Sequence, residues 1–451
     1  MNNTKSTNAT NASSEDINKL RFTYFCLFGT MGILSPFLPL FFQSVGYSKL
    51  EIGILGGLPP LSSFIFGPLW SFLADYISKH EFIILMNHTI STTATSLMYF
   101  ISSFNLMIGF VLFISITKSP VSTLLDSFTL SSLSDKTAYG SIRYMGAASF
   151  GIFSFIGAYL TGDEGLEFKS VFITFTIVSI VTLYAFKQLN ISKKKLLQVQ
   201  QKQKELEEEE QQQQQQQQQD EKEVNQDLMA RLFQTLSQPH VFIFFCIVTI
   251  SGIAFGIIEN FLFIRLKELG GPGLLLGCAR FIMCFSEIPF FIYSGRIQNY
   301  LGTWQTLCFT QLMFIIRNIV YIQLINPWYV LPAEVLHGIT FASMWSTSCT
   351  FAQAISPPGL ESTIQAILSS LHFGVGSATG MILGGYIYQN HGAKPLFAMN
   401  AFGCSISAFL TCIAMFSKFT DPVVNKNENG DKNDIKYVQL PTRTNEDEND
   451  V

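Results

Sequence analysis

Charged residues are scarce in this chain: they make up 13% of its 451 residues, against 48% hydrophobic residues and 43 phenylalanines. A soluble globular domain carries about 25% charged residues, so the composition excludes that class and points to a membrane protein. No GxxxxGK[ST] phosphate loop occurs, which leaves a solute or ion gradient as the expected energy source. Eight cysteines are present (Cys26, Cys246, Cys278, Cys284, Cys308, Cys349, Cys404, Cys412), but none has CxxC spacing or a paired loop pattern. They read as small core residues, without a metal or disulfide role. No cofactor motif and no constellation for covalent or metal chemistry occurs, so neither a cofactor nor an enzyme is expected. The net charge of -4 is small and much of the acidity lies in the tails, which excludes a nucleic-acid surface. No cleavable signal is expected either: the first 19 residues are Asn/Ser/Thr-rich, and the apolar run behind them is too long for a signal core.

What the chain has in abundance is long apolar runs. About 20 apolar residues cross a bilayer as a helix, and twelve runs of that length are separated by Gly, Pro or charge. The expected spans are 22–43, 49–76, 82–103, 105–131, 141–161, 167–187, 240–264, 272–297, 303–325, 328–354, 362–388 and 394–417. Between the sixth and seventh lies a polar segment with nine consecutive glutamines, Gln211 to Gln219, that cannot bury a core. The expected organisation is therefore an N-terminal tail over 1–21, a six-helix bundle over 22–187, a linker over 188–239, a second six-helix bundle over 240–417 and a tail over 418–451. Both termini and the linker are expected to be cytoplasmic. With that orientation twelve basic residues flank the spans on the inner side against five on the outer side. Sequons at Asn2, Asn8 and Asn11 cut the other way, and in so Asn-rich a tail they read as accidental.

Six spans, a long linker and six more spans form the plan of an all-α carrier with two pseudo-symmetric halves around a central path. An internal echo supports it, GPLWSFLADYISKH after the second span and SGRIQNYLG after the eighth. The segments FLFIRLKELGG, SEIPFFIYSGRI, NPWYVLPAEVLHGITFASMW and FGVGSATGMILGGYIYQNHGA, with LLDSFTL and YGSIRYMGAASFG, resemble the major facilitator superfamily. Within it they are similar to the permease subgroup of lactose-permease-like symporters, arylpropionate permeases and the animal group called major facilitator superfamily domain-containing protein six. The resemblance covers all twelve spans. Asp75 falls where that superfamily has an acidic loop motif, with Ser71 in place of its first glycine and Tyr76 in place of its basic residue.

Ionisable residues inside the spans are the candidates for function, because a charge at the bilayer centre costs roughly 2.5–3.5 kcal/mol even on the lenient insertion scale. They are Lys118 and Asp126 in the fourth span, Arg143 in the fifth, Glu259 in the seventh and Arg280 and Glu287 in the eighth. Arg317 lies in the ninth, Glu334 and His337 in the tenth and His372 in the eleventh. Spacing of three puts Glu334 and His337 on one helix face, with Arg317 near their level, and a cluster is expected. A carboxylate held between a guanidinium and desolvation can load and release a proton. The resemblance implies the same, since lactose-permease-like symporters place an arginine in the ninth span and an acid/histidine pair in the tenth. Here glutamate precedes histidine, the reverse of that pattern, which leaves open which of the two carries the proton. The plain alternative is a static ion pair clamping two helices.

Asp126 and Arg143 either contact solute, as the resemblance implies, or lock the inner ends of their helices. Lys118 has no acid within reach on its own helix; Glu287 is the expected partner, and binding of an anionic solute or a proton, or snorkelling, are the other readings. Gly376, Gly380 and Gly384 mark a close helix contact. YVQL, from Tyr437 to Leu440, fits a short sorting signal, and the choice between plasma and endolysosomal membrane stays open. The expected function is secondary active transport of a small organic solute by a monomer, coupled to protons. An ion-independent facilitator and a non-transporting receptor or scaffold on the same fold are the rivals.

Overall fold

The structure is a computed structural model that describes residues 14–77, 80–132, 140–162, 168–189, 230–357 and 359–417. Most of the linker, both tails and the YVQL motif lie outside the described residues. Twelve helical spans follow one another. α1 runs over Ser14–Leu34 and continues through a 3-10 turn at Ser35–Phe37 into Leu38–Val45. Then come α2 (Lys49–Ile77), α3 (His80–Met98), α4 (Phe104–Ser132), α5 (Gly140–Leu160) and α6 (Phe168–Gln188). The second half has α7 (Pro239–Glu268), α8 (Gly273–Leu301) and α9 (Thr303–Gln323). α10 is assembled from Pro327–Tyr329, Val330–Val335, a π-helical turn at Gly338–Ser343 and Met344–Ile355. α11 joins Glu361–Ser369, a second π-helical turn at Ser370–Gly376 and Ser377–His391, and α12 is Ala393–Phe416.

Three boundaries depart from the expected ones. α1 begins about two turns before residue 22, because the polar residues from Ser14 continue the helical path beyond the apolar run. Its interior tightens where Pro36 and Pro39 withhold backbone N–H groups. The tenth and eleventh spans, expected to be continuous, are interrupted by the π-helical turns. Nine of the described helices are long and apolar enough to cross a membrane on length and hydropathy alone. α3, rich in Ser and Thr, α5 and the segmented α10 fall outside that set.

The two halves repeat one packing plan. α1 packs on α5 and α6 as α7 packs on α11 and α12; α2 packs on α4 as α8 packs on α10; α3 packs on α6 as α9 packs on α12. The contacts between halves are related in the same way, α2 against α11 and α5 against α8. Close approach is permitted by glycine: a Cβ on Gly380 would collide with the Ile253 carbonyl of α7, and one on Gly53 with the Met381 carbonyl across the interface between halves. The Gly376, Gly380 and Gly384 stripe thus faces α7, the close contact that its spacing of four residues implies.

The halves meet at one end only. The face that carries the end of α6 and the start of α7 is the linker face, and the opposite face is the far face. Along α2, residues 49–62 are buried or half-buried, whereas from Ser63 onward most positions are exposed, up to Tyr76 at 80%. α8 changes in the same way, from buried at Leu275, Leu276 and Ala279 to 89% exposed at Tyr300. The molecule is closed at the far face and parted at the linker face.

A lock on the far face holds this state. Lys49 Nζ lies 2.9 Å from Glu268 Oε1, the Tyr388 hydroxyl donates to Glu268 Oε2 at 2.6 Å, and the Leu50 N–H donates to Gln389 Oε1 at 3.0 Å. Phe37 stacks on Phe263 at 5.8 Å beneath it. A bulky residue at Gly53 has no room in this arrangement, since overpacking forces backbone apart. Gly53→Trp is expected to open the far face. Spin labels on the far ends of α2 and α11 would report the change as a longer mean distance, and an unchanged distance would refute the packing argument.

Candidate functional site

α9 and α10 bring Arg317, Glu334 and His337 together. Arg317 is 1% exposed and Glu334 0%, so the pair is fully withdrawn from water. Arg317 spends its guanidinium on the cluster: Nη2 donates to Glu334 Oε2 at 2.8 Å, Nη1 to Thr340 Oγ1 at 2.8 Å and Nε to the Tyr321 hydroxyl at 3.0 Å. Tyr321 in turn donates to Glu334 Oε1 at 2.6 Å, which satisfies the second carboxylate oxygen. Such complete pairing is what a buried charge requires. Tyr321 and Thr340 were not singled out from the sequence. Tyr321 stands four residues after Arg317, and that spacing is the signal that would have found it.

His337 extends the cluster toward α8. Its Nδ1 lies 3.2 Å from Arg317 Nη1 and its Nε2 lies 3.1 Å from Glu287 Oε1. Arginine can only donate, so Nδ1 is the acceptor and the ring hydrogen sits on Nε2, aimed at Glu287. A second proton on Nδ1 would place two donors face to face. While Arg317 is in position, His337 therefore stays neutral and orients the carboxylate of Glu287. The backbone around it is built for this contact: Gly338 packs on the Ser286 carbonyl, where a Cβ would collide, and its N–H donates to Ser286 Oγ at 3.0 Å. The π-helical turn begins at Gly338, where the α8 backbone presses into α10.

A second ion pair lies nearer the far face, with Arg280 Nη1 and Nη2 donating to the two oxygens of Glu259 at 2.8 and 2.9 Å. Deep inside the spans, away from their ends, the second half thus holds three carboxylates (Glu259, Glu287, Glu334) and two guanidinium groups (Arg280, Arg317). Glu287 is the acid left without an arginine. Its side chain is 24% exposed, and its ion-pair-distance partner is the neutral imidazole of His337. The expected pairing of Glu287 with Lys118 is thereby corrected: His337 takes Glu287, and among the described residues no carboxylate lies within ion-pair distance of Lys118.

Asp126 and Arg143 do meet, half-exposed, toward the linker face of the first half. Arg143 Nε is 3.8 Å from Asp126 Oδ1, the Tyr24 hydroxyl donates to Asp126 at 2.5 Å, and the guanidinium covers the Phe28 ring at 4.1 Å. The side chain of Asp75 lies outside the described residues. His372 is buried in the second π-helical turn, with Nδ1 3.3 Å from the Val248 carbonyl and Nε2 without a partner. Around it Phe255, Phe341, Trp345 and Phe373 form an aromatic patch that joins both π-helical turns: Phe255 stacks on Phe341 at 5.5 Å and Trp345 meets Phe373 at 4.7 Å. His337 stacks on Phe341 at 5.6 Å, so the patch adjoins the ionic cluster.

A model of the MFS_1 like family matches residues 17–399, the helical body from α1 into α12. The chain belongs to the MFS_1 like family. It is a multi-pass integral membrane protein of a secondary-transporter family. The maltose permease of Geobacillus stearothermophilus is 22% identical over 368 residues, 81% of this chain and 86% of that protein. Major facilitator superfamily domain-containing protein 6-like of Danio rerio is 23% identical over 155 residues, which span 34% of this chain and 29% of that protein. Among solved structures, the nucleoside transporter NupG superposes with a TM-score of 0.72 at 15% identity, over 90% of this chain and 100% of that one. A bacterial homologue of the human lysosomal transporter Spinster, in an inward-facing and occupied conformation, gives 0.63 at 14% identity over 89% and 97%. At these identities the two structures establish the shared twelve-helix fold.

Within this family member the cluster has a stability consequence. Removing one partner of a fully buried pair strands the other charge, at a cost of about 3–5 kcal/mol. Arg317→Met is expected to lower the thermal midpoint of the detergent-solubilised protein strongly, and Arg317→Met combined with Glu334→Gln to recover much of the loss. Equal midpoints for the single variant and the parent would contradict the buried-pair geometry.

Proposed function

We propose that the protein is a proton-coupled symporter of a small organic solute, with Glu287 as the group that loads the proton. One observation carries this reading: the ionic groups deep inside the second half leave one carboxylate without an arginine, and that carboxylate is partly exposed. Glu334 is dry and committed to Arg317 and Tyr321, and His337 is held neutral by Arg317. Glu287 has an oxygen free of His337 and faces no cation at hydrogen-bond distance. Glu259 and Arg280 are near enough for their charges to act on it. Protonation there removes the one unmatched negative charge among the ionic groups deep inside the second half, and so changes the charge that a low-dielectric interior must enclose.

Transport follows by alternation. With the linker face parted, solute and proton exchange with the compartment on that side. We assign it to the cytoplasm on the excess of basic residues around the linker-side turns. Closing that face and breaking the Lys49–Glu268 lock would expose the same site to the other compartment. The pseudo-twofold contacts of α2 with α11 and of α5 with α8 support such a rocking motion.

The test is Glu287→Gln in the full chain reconstituted into vesicles. Accumulation driven by an inward proton gradient should fall to the level set by solute equilibration, while solute exchange without a gradient continues. The neutral amide keeps the shape and the contact with His337, so this split separates coupling from folding. Gradient-driven accumulation equal to the parent would remove Glu287 from the proton-loading role.

A further inference from the structure

We infer that the solute is an organic monoanion whose charged group is received by Lys118, so that one anion and one proton fill the cavity together. The inference deepens the proton-coupled reading and rests on it for the role of Glu287.

Among the described residues, the ionic groups deep inside the spans pair off and leave two unmatched. Asp126 is with Arg143, Glu259 with Arg280 and Glu334 with Arg317. What remains is Glu287 in the second half and Lys118 in the first. Lys118 is the central residue of α4, a helix of 29 residues, and Glu287 the central residue of α8, also of 29. Both charges therefore stand at the middle of a helix some 43 Å long, at a rise of about 1.5 Å per residue. An ammonium at that depth is too far from either surface to snorkel, and with no acid beside it the stable placement is toward water or a ligand.

The surroundings of Lys118 fit a ligand. The neighbouring Ser119 hydroxyl is buried without a partner and borders Gly67 of α2. Trp70 of α2 donates its indole N–H to the Ile116 carbonyl at 2.9 Å, which braces α2 against α4 at this level. From α3, His88 is close enough to feel the Lys118 charge. α2 then leads to the second half: Phe64 and the Pro60 carbonyl border Gly374, next to Phe373 of the aromatic patch. α2 thus runs between the Lys118 level of α4 and the aromatic patch. The patch supplies faces for an apolar ring, and the unpartnered Nε2 of buried His372 supplies an acceptor for a polar group on it.

Charge balance explains why such a solute would be coupled. Empty, the interior of the spans carries the two unmatched charges Lys118+ and Glu287−, which balance. With both an anion at Lys118 and a proton on Glu287 it is neutral again. With only one of them it carries a net charge that must be enclosed without water when the linker face closes, which is costly. Rearrangement is therefore favoured in the empty and doubly loaded forms, the requirement for one-to-one symport. A zwitterionic or uncharged solute would need no proton to keep this balance.

The experiment uses the full chain in phosphatidylcholine vesicles with three probes that share a ring: hippurate, its uncharged amide hippuramide, and the zwitterion phenylalanine, each corrected with protein-free vesicles. Saturable hippurate uptake, raised by an inward proton gradient and unaffected by an imposed membrane potential, is the expected result. Lys118→Met should weaken it roughly ten- to hundredfold in apparent affinity, the loss of one charge-assisted contact, and Lys118→Arg should retain a measurable part. Uptake of the amide or of phenylalanine in place of hippurate, no protein-dependent uptake of any probe, or hippurate uptake untouched by Lys118→Met would overturn the inference. Hippurate uptake that needs Lys118 but ignores the proton gradient would keep the anion site and sink the proton-coupled reading alone.

Discussion

The hydrogen-bonding demand of one guanidinium organises the second half of this molecule. Arg317 is buried in the membrane-spanning body, where its charge is tolerable only with its donors occupied. Glu334, Tyr321, Thr340 and His337 occupy them. Meeting that demand fixes the register of α10 on α9. It also fixes the tautomer of His337 and, through His337, the orientation of Glu287 on α8. The π-helical turn at Gly338 follows from the same constraint, because α8 must come close enough for Ser286 and Glu287 to reach α10. The chemistry of the site is thus set by how one buried cation is satisfied, and the group left over becomes available for work.

Much of this was legible in the sequence. Twelve apolar runs and the polar linker gave the spans, since hydrophobic length is a strong signal in a bilayer. The three-residue spacing of Glu334 and His337 and the depth of Arg317 gave the cluster. What remained hidden depends on contacts between helices. The bidentate Arg280–Glu259 pair joins α7 to α8, and nothing in linear spacing couples residues 21 apart in sequence. Lys118 was matched to Glu287 on depth alone, and depth is shared by both; a neutral histidine on α10 took the partner because it lies on the same half. The π-helical turns were invisible because their cause is the close approach of a second backbone to Gly338 and, on α11, of Gly252 to His372.

The arrangement divides labour between halves. In the first half Asp126 and Arg143 sit half-exposed near the linker face with Tyr24 and Phe28, a geometry suited to holding helix ends. Lys118 stands apart from them. In the second half the ionic groups form one electrostatically connected set that spans α7 to α10. The far-face lock of Lys49, Glu268, Tyr388 and Gln389 joins the halves through partly exposed contacts, each weak enough to break in a conformational cycle. Strong, dry interactions lie within the second half, and exchangeable ones lie between the halves. That distribution lets each half move as a body.

The central claim is that Glu287 is the one unmatched carboxylate deep inside the second half and the group that takes up the proton. Infrared difference spectroscopy of the full chain in lipid, recorded as the pH is lowered, reads carboxyl protonation directly. The account predicts a protonated-carboxyl band that grows on acidification, is absent in Glu287→Gln and persists in Glu334→Gln. A band that survives in Glu287→Gln and vanishes in Glu334→Gln would contradict it.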